Sequence, residues 1–140
     1  MANQTWNPSW KSHVGINHVG AYQVSGQPFA SGSINATTTC KISFPYVTRW
    51  ITIVNNDTTN ACKVGFSKEG VDGTVTNNYF TIGKGASNQP TESVRLELKI
   101  TELWLSGATD VDVVAGLTSI DPTRTSTDTG PSWSGSSGVG

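Results

Sequence analysis

Charge is scarce in this chain. Asp, Glu, Lys and Arg make up 14% of its 140 residues, against roughly 25% in an average soluble domain. The surface must therefore be built largely from Ser, Thr, Asn, Gln and Gly. Such surfaces are common on extracellular modules and assembly proteins and less typical of a cytosolic helical enzyme. The net charge is -1, so no long-range field gathers nucleic acid, and direct electrostatic binding to DNA or RNA is disfavoured.

Cysteine is nearly missing as well. Cys40 and Cys62 are too few for a disulfide framework, and each sits in an alternating run where a small buried hydrophobe fits. No stretch approaches the roughly 20 apolar residues that span a bilayer. The start, Met1-Ala2-Asn3-Gln4-Thr5-Trp6, has neither the charged nor the apolar region of a cleaved secretory leader. These features lead us to expect a soluble chain made in a reducing compartment. Apolar residues at i, i+3, i+4 and i+7 are also wanting over any dozen positions, so little helix is expected.

Catalytic and ligand-binding patterns are equally sparse. His13 and His18 are the only imidazoles, with no further zinc ligands at a suitable spacing nearby. There is no Gly-x-Ser-x-Gly elbow. The carboxylate pairs Glu97/Glu102 and Asp110/Asp112 read as solvated surface, since a glycosidase needs its two carboxyls at a set separation in a cleft. The loop Ser67 to Gly73 lacks the oxygen ladder of a calcium site, and Lys68 opposes one, so a plain turn is expected. Gly83-Lys84-Gly85-Ala86-Ser87 fails the spacing of a phosphate loop. The sequence thus points to no catalytic residue, cofactor or metal, and an enzyme is not expected. Asn3-Gln4-Thr5, Asn35-Ala36-Thr37 and Asn56-Asp57-Thr58 fit the N-glycosylation pattern, which alone assigns nothing.

What the chain does have is alternation with a period of two. Short strands are expected over 19–24, 38–44, 49–55, 61–67 and 78–82, separated by turn residues such as Asn55-Asn56-Asp57-Thr58 and Asp72-Gly73. The clearest block is Val94 to Ile120. Val94, Leu96, Leu98 and Ile100 hold even positions, whereas Leu103 and Leu105 hold odd ones. The buried face must flip near Thr101-Glu102, which predicts one long strand bent by a bulge; two short strands with a turn there is the alternative. A hairpin return follows from Val111. If the long strand crosses between sheets at its bend, the strand number approaches eight.

Outside this block lie residues 1–12, expected to form an extended arm, and residues 121–140, a Ser/Thr/Gly-rich segment expected to be a flexible tail. The domain between them spans 13–120. Trp6, Trp10 and Trp133 are large aromatics in polar segments and are the candidate interface residues, either folding back or docking on a neighbour.

The series Thr48-Arg49-Trp50-Ile51-Thr52-Ile53-Val54-Asn55, Lys63-Val64-Gly65-Phe66-Ser67 with Gly70, Asn78-Tyr79-Phe80, Arg95-Leu96-Glu97-Leu98-Lys99, Leu103-Trp104-Leu105-Ser106 and Val114-Ala115-Gly116-Leu117-Thr118-Ser119-Ile120 resembles the penton, or vertex, single-jelly-roll capsid proteins of large icosahedral double-stranded DNA viruses, particularly those of algae. The resemblance covers roughly Pro45 to Ile120 and rests on spacing, with no catalytic signature. It implies an all-β, eight-stranded single jelly-roll sandwich. It implies a homopentamer at the fivefold vertices of the virion, beside major and minor capsid proteins, after synthesis in the host cell cytoplasm. The segment after Ile120 departs from the family pattern. A different class, a β-sandwich carbohydrate- or receptor-binding module, is the alternative, because surface aromatics stack on sugars.

Overall fold

The computed structural model describes residues 19–22, 26–73, 77–93, 95–127 and 130–131. The expected arm at 1–12 lies outside the described residues. Two four-stranded antiparallel sheets pack face to face, as an all-β sandwich. Strands β1 (Gln27–Ile34), β8 (Val111–Leu117), β3 (Thr48–Asn55) and β6 (Thr91–Glu92) form one sheet in that order. Strands β2 (Cys40–Ser43), β7 (Glu102–Ser106), β4 (Cys62–Gly65) and β5 (Tyr79–Ile82) form the other. The pairings β1·β8, β2·β7, β3·β6 and β4·β5 match the first four of these eight sandwich strands to the second four in reverse order. The β3·β8 and β4·β7 pairings then close each sheet.

The core sits where the inward positions of both sheets meet. Ile51 and Ile53 from β3 and Val111, Val113, Ala115 and Leu117 from β8 face Cys62 and Val64 from β4 and Leu103 and Leu105 from β7, all essentially inaccessible. Truncating a buried leucine here to alanine costs about 2–5 kcal/mol, the lost transfer energy plus the cavity left behind.

The phase slip at Thr101-Glu102 turns out to be a change of sheet. Leu96 bridges to Ile51, and Thr48 binds both Leu98 and Ile100, so 95–100 runs along β3. From Glu102 onward the chain pairs with β2 and β4 of the opposite sheet. Inward positions are even before the crossing and odd after it: Ile100, then Leu103 and Leu105, are buried, while Arg95, Glu97 and Lys99 are exposed. The expected single bent strand is thus corrected to an edge segment and a separate strand, because the two halves find their hydrogen-bond partners in different sheets. The bulges lie elsewhere, at Arg49 in β3 and at Gly32-Ser33 in β1, where Ser33 has φ 54°.

Three further expectations need correction. Residues 19–22 form a 3-10 turn and not a strand. β1 falls in a stretch where no strand was expected, since Pro28 and Gly32 weaken its alternation, and an edge strand tolerates both. The 67–73 loop holds a short helix, α1 (Lys68–Asp72), whose N-cap Ser67 accepts from the Gly70 N–H. Its Val71 packs over Gly65 on the outer face of β4; a Cβ on Gly65 would stand 2.5 Å from Val71 Cγ2. Beyond Ile120, a 3-10 turn at Pro122–Thr125 precedes a ribbon of β9 (Ser126–Thr127) and β10 (Gly130–Pro131).

Candidate functional site

The interface candidates Trp6, Trp10 and Trp133 lie outside the described residues, as do His13 and His18. Two other indoles stand on the sandwich itself, one on the outer face of each sheet. Trp50 projects from β3, with the Arg95 guanidinium 5.5 Å from its ring and Arg95 paired to Glu97 at 2.6 Å. Trp104 projects from β7, its Nε1 donating to Glu102 at 3.4 Å while Lys41 lies 5.8 Å from the ring. Lys41 also reaches Glu102 at 3.7 Å. Each indole neighbours buried core residues in sequence, Trp50 beside Ile51 and Trp104 between Leu103 and Leu105; the cation over each ring comes from another segment of the chain and is not visible in the sequence.

Of the carboxylates read as surface, Glu97 is exposed, whereas Asp112 ties loops together. Asp112 Oδ1 accepts from the Ser33 N–H at 2.8 Å, which ties down the β1 bulge, and its Oδ2 accepts from Asn56 Nδ2 at 2.9 Å. Asp110 takes a longer bond from the same amide, at 3.5 Å. On α1, Asp72 pairs with Lys68 at 3.1 Å. Among the described residues no group of three or more His, Cys, Asp or Glu is placed to hold a metal ion.

The residue missed by sequence reasoning is Asp57, buried in the β3–β4 loop. Its Oδ1 accepts from the backbone N–H groups of Thr59 at 2.7 Å and Asn60 at 3.0 Å. Its Oδ2 accepts from the Thr109 N–H at 2.8 Å, the Thr109 hydroxyl at 2.9 Å and Asn60 Nδ2 at 3.2 Å. These donors, led by the Thr109, Thr59 and Asn60 N–H groups, hold its carboxyl well below the usual carboxylate range. The Asp57 carbonyl meanwhile accepts from the Gly85 N–H. Buried Asn55 donates to Asn60 O at 3.0 Å and Gly83 O at 3.1 Å and accepts from the Asp57 N–H. Ala36 exchanges bonds with Ala108 and Gly107. Four loops, β1–β2, β3–β4, β5–β6 and β7–β8, are thus tied together at one end of the sandwich. The Gly83-Lys84-Gly85 segment serves this knot, with Lys84 O accepting from the Thr91 hydroxyl.

Burial pushes the Cys62 thiol up to about 11, and burial also raises that of half-buried Cys40. Both stay protonated near neutrality and are poor nucleophiles. A cavity of about 290 Å³ opens between β5 and β6, lined by Phe80, Ile82, Gly83, Thr91, Ser93 and Leu96 among others. It is apolar and lies between two edge strands. No described helix is long and apolar enough to cross a membrane. Comparison with protein families, curated proteins and solved structures finds no match to the chain.

Proposed function

We propose that this chain is a structural capsid protein, a single eight-stranded jelly roll that assembles as a pentamer at the fivefold vertices of an icosahedral virion. The observation that carries the reading is the strand order. A jelly roll is a long antiparallel hairpin wound into a sandwich, so that its first strand pairs with its last and its fourth with its fifth. Pairing of β1 with β8, β2 with β7, β3 with β6 and β4 with β5 is the order such winding produces.

The two lateral sides of the sandwich also suit a ring. One is bounded by β1 and β2 and closed by the edge-to-face pair Phe29 and Phe44, with centroids 5.0 Å apart. The other is bounded by β5 and β6 and opens on the cavity beside Phe80 and Leu96. Two unlike sides are what a head-to-tail, closing contact requires. In this reading the penton sits among major and minor capsid proteins, contributes no direct nucleic-acid contact, and uses Trp6, Trp10 and Trp133 against neighbours. Native mass spectrometry of the purified full chain tests it: five copies are expected, and a monomer at every concentration contradicts it.

A second reading, a carbohydrate- or receptor-binding module, draws on the outward indoles Trp50 and Trp104. Glycan-array binding by the monomer, lost in Trp50→Ala or Trp104→Ala, would favour it.

A further inference from the structure

Of the N-glycosylation patterns in the chain, two fall on described residues, and the structure treats them in opposite ways. In Asn35-Ala36-Thr37 the middle residue is the anchor: the Ala36 side chain is fully buried, its N–H donates to Ala108 O, and its carbonyl accepts from the Gly107 N–H at 2.6 Å. Asn35 and Thr37 are left exposed on either side. Asn35 Oδ1 accepts both the Thr37 N–H at 3.0 Å and the Thr37 hydroxyl at 2.7 Å. Both bonds fall on the amide oxygen. They fix the amide plane, draw electron density from the nitrogen so that its protons are more acidic, and leave Nδ2 without a described partner. In Asn56-Asp57-Thr58 the arrangement is reversed. Asn56 is half-buried, its Nδ2 is spent on Asp112 and Asp110, and the middle residue is the Asp57 knot. A sugar there would take one of the two amide protons that the half-buried Asn56 shares with Asp112 and Asp110.

We propose that Asn35 is an N-glycan acceptor of the folded protein, modified by an N-glycosyltransferase that uses a nucleoside diphosphate sugar, and that Asn56 is not. In the transfer a bond forms between Asn35 Nδ2 and the anomeric carbon. The bond from that carbon to the phosphate oxygen breaks, the nucleoside diphosphate leaves with the electron pair, and the amide proton passes to the enzyme's base. The glycan covers the end of the sandwich where the four loops meet. The inference rests on this loop's geometry and not on the capsid reading.

The test uses the folded full chain carrying Asn3→Gln, so that the two described sites alone compete. It is incubated with UDP-glucose and a soluble N-glycosyltransferase that recognises Asn-x-Ser/Thr, then read by intact mass and peptide mapping. The expected result is one hexose, on Asn35. It is lost in Asn35→Gln and Thr37→Ala and kept in Thr37→Ser, with circular dichroism confirming that each variant is folded. An unmodified Asn35, or a hexose on Asn56 of the folded chain, overturns the proposal.

Discussion

The two ends of the sandwich are closed by different chemistry. At the end that carries Asp57, one buried carboxylate accepts five hydrogen bonds from the β3–β4 and β7–β8 loops. At the opposite end two buried threonine hydroxyls do the corresponding work. Thr48 Oγ1 donates to Leu98 O at 2.6 Å and accepts from the Ile100 N–H at 3.1 Å, which holds the chain just before it changes sheets. Thr118 Oγ1 donates to Val47 O at 2.7 Å and accepts from the Ile120 N–H at 3.2 Å. Hydrogen bonds to an ionised group are the stronger kind, but the ion can be neutralised. A neutral hydroxyl cannot be titrated away. Acid should therefore loosen one end of this fold and leave the ties at the other intact.

The largest effect is expected from Asp57→Ala, which strands the donors of Thr59, Asn60 and Thr109 together. Its chemical denaturation midpoint at neutral pH should fall further than that of any threonine or lysine variant described below. Asp57→Asn should fall nearly as far, since its amide would face donors that need an acceptor. The pH dependence follows from the direction of the shift. The Asp57 carboxyl titrates lower in the folded chain than in the unfolded one, where an aspartate ionises at about pH 3.9. Its stabilisation is present in full above about pH 4 and is lost as the pH falls below that, toward the folded value. Denaturation measured from pH 7 to pH 2 should therefore show a decline in the parent that is flattened in both Asp57 variants. An undiminished decline would place the acid response elsewhere.

Thr48→Val comes next. It removes a fully buried hydroxyl that serves as donor and acceptor, and the unpaired Leu98 carbonyl and Ile100 N–H should cost about 1–3 kcal/mol. The slope of stability with pH should match the parent's, which is the sharpest contrast between the two ends. Thr118→Val should cost less, about 0.5–1.5 kcal/mol, because the Thr118 backbone N–H keeps its own bond to Val47 O. The smallest effect is expected from Lys41→Met on the outer sheet face. Its ion pair with Glu102 is long, at 3.7 Å, and the lysine side chain is 45% exposed, so a change of about 0–1 kcal/mol is expected by thermal melting.

The sequence made the strands legible where one face is apolar and the other wet. Ile51 and Ile53 in β3, Cys62 and Val64 in β4, and Val111 and Val113 in β8 show it directly. The flip between Ile100 and Leu103 was legible too, though not its cause, since a bulge and a change of sheet reverse the phase equally. β1 was hidden because Ala30 and Gly32 put small residues outward and Pro28 resembles punctuation. β6 is two residues long and too short to carry a period.

Half of the Asp57 knot was also open to reading. An aspartate that accepts from N–H groups two and three positions ahead is ordinary turn chemistry, and Asp57-Thr58-Thr59-Asn60 offers it. The bonds to Thr109, 52 residues away, exist only because the sheets bring the two loops together. No local pattern encodes them. The roles of Asp110 and Asp112 were missed for a similar reason: their partner Asn56 is distant in sequence and adjacent only in the fold.

The measurement that bears most directly on the proposed role is a three-dimensional reconstruction of a virion that carries this chain, with the subunit located by labelling. The capsid reading predicts five copies around each fivefold axis, with the β1/β2 side of one sandwich against the β5/β6 side of the next. Label elsewhere in the shell, or fivefold density that does not accommodate two four-stranded sheets, would contradict it.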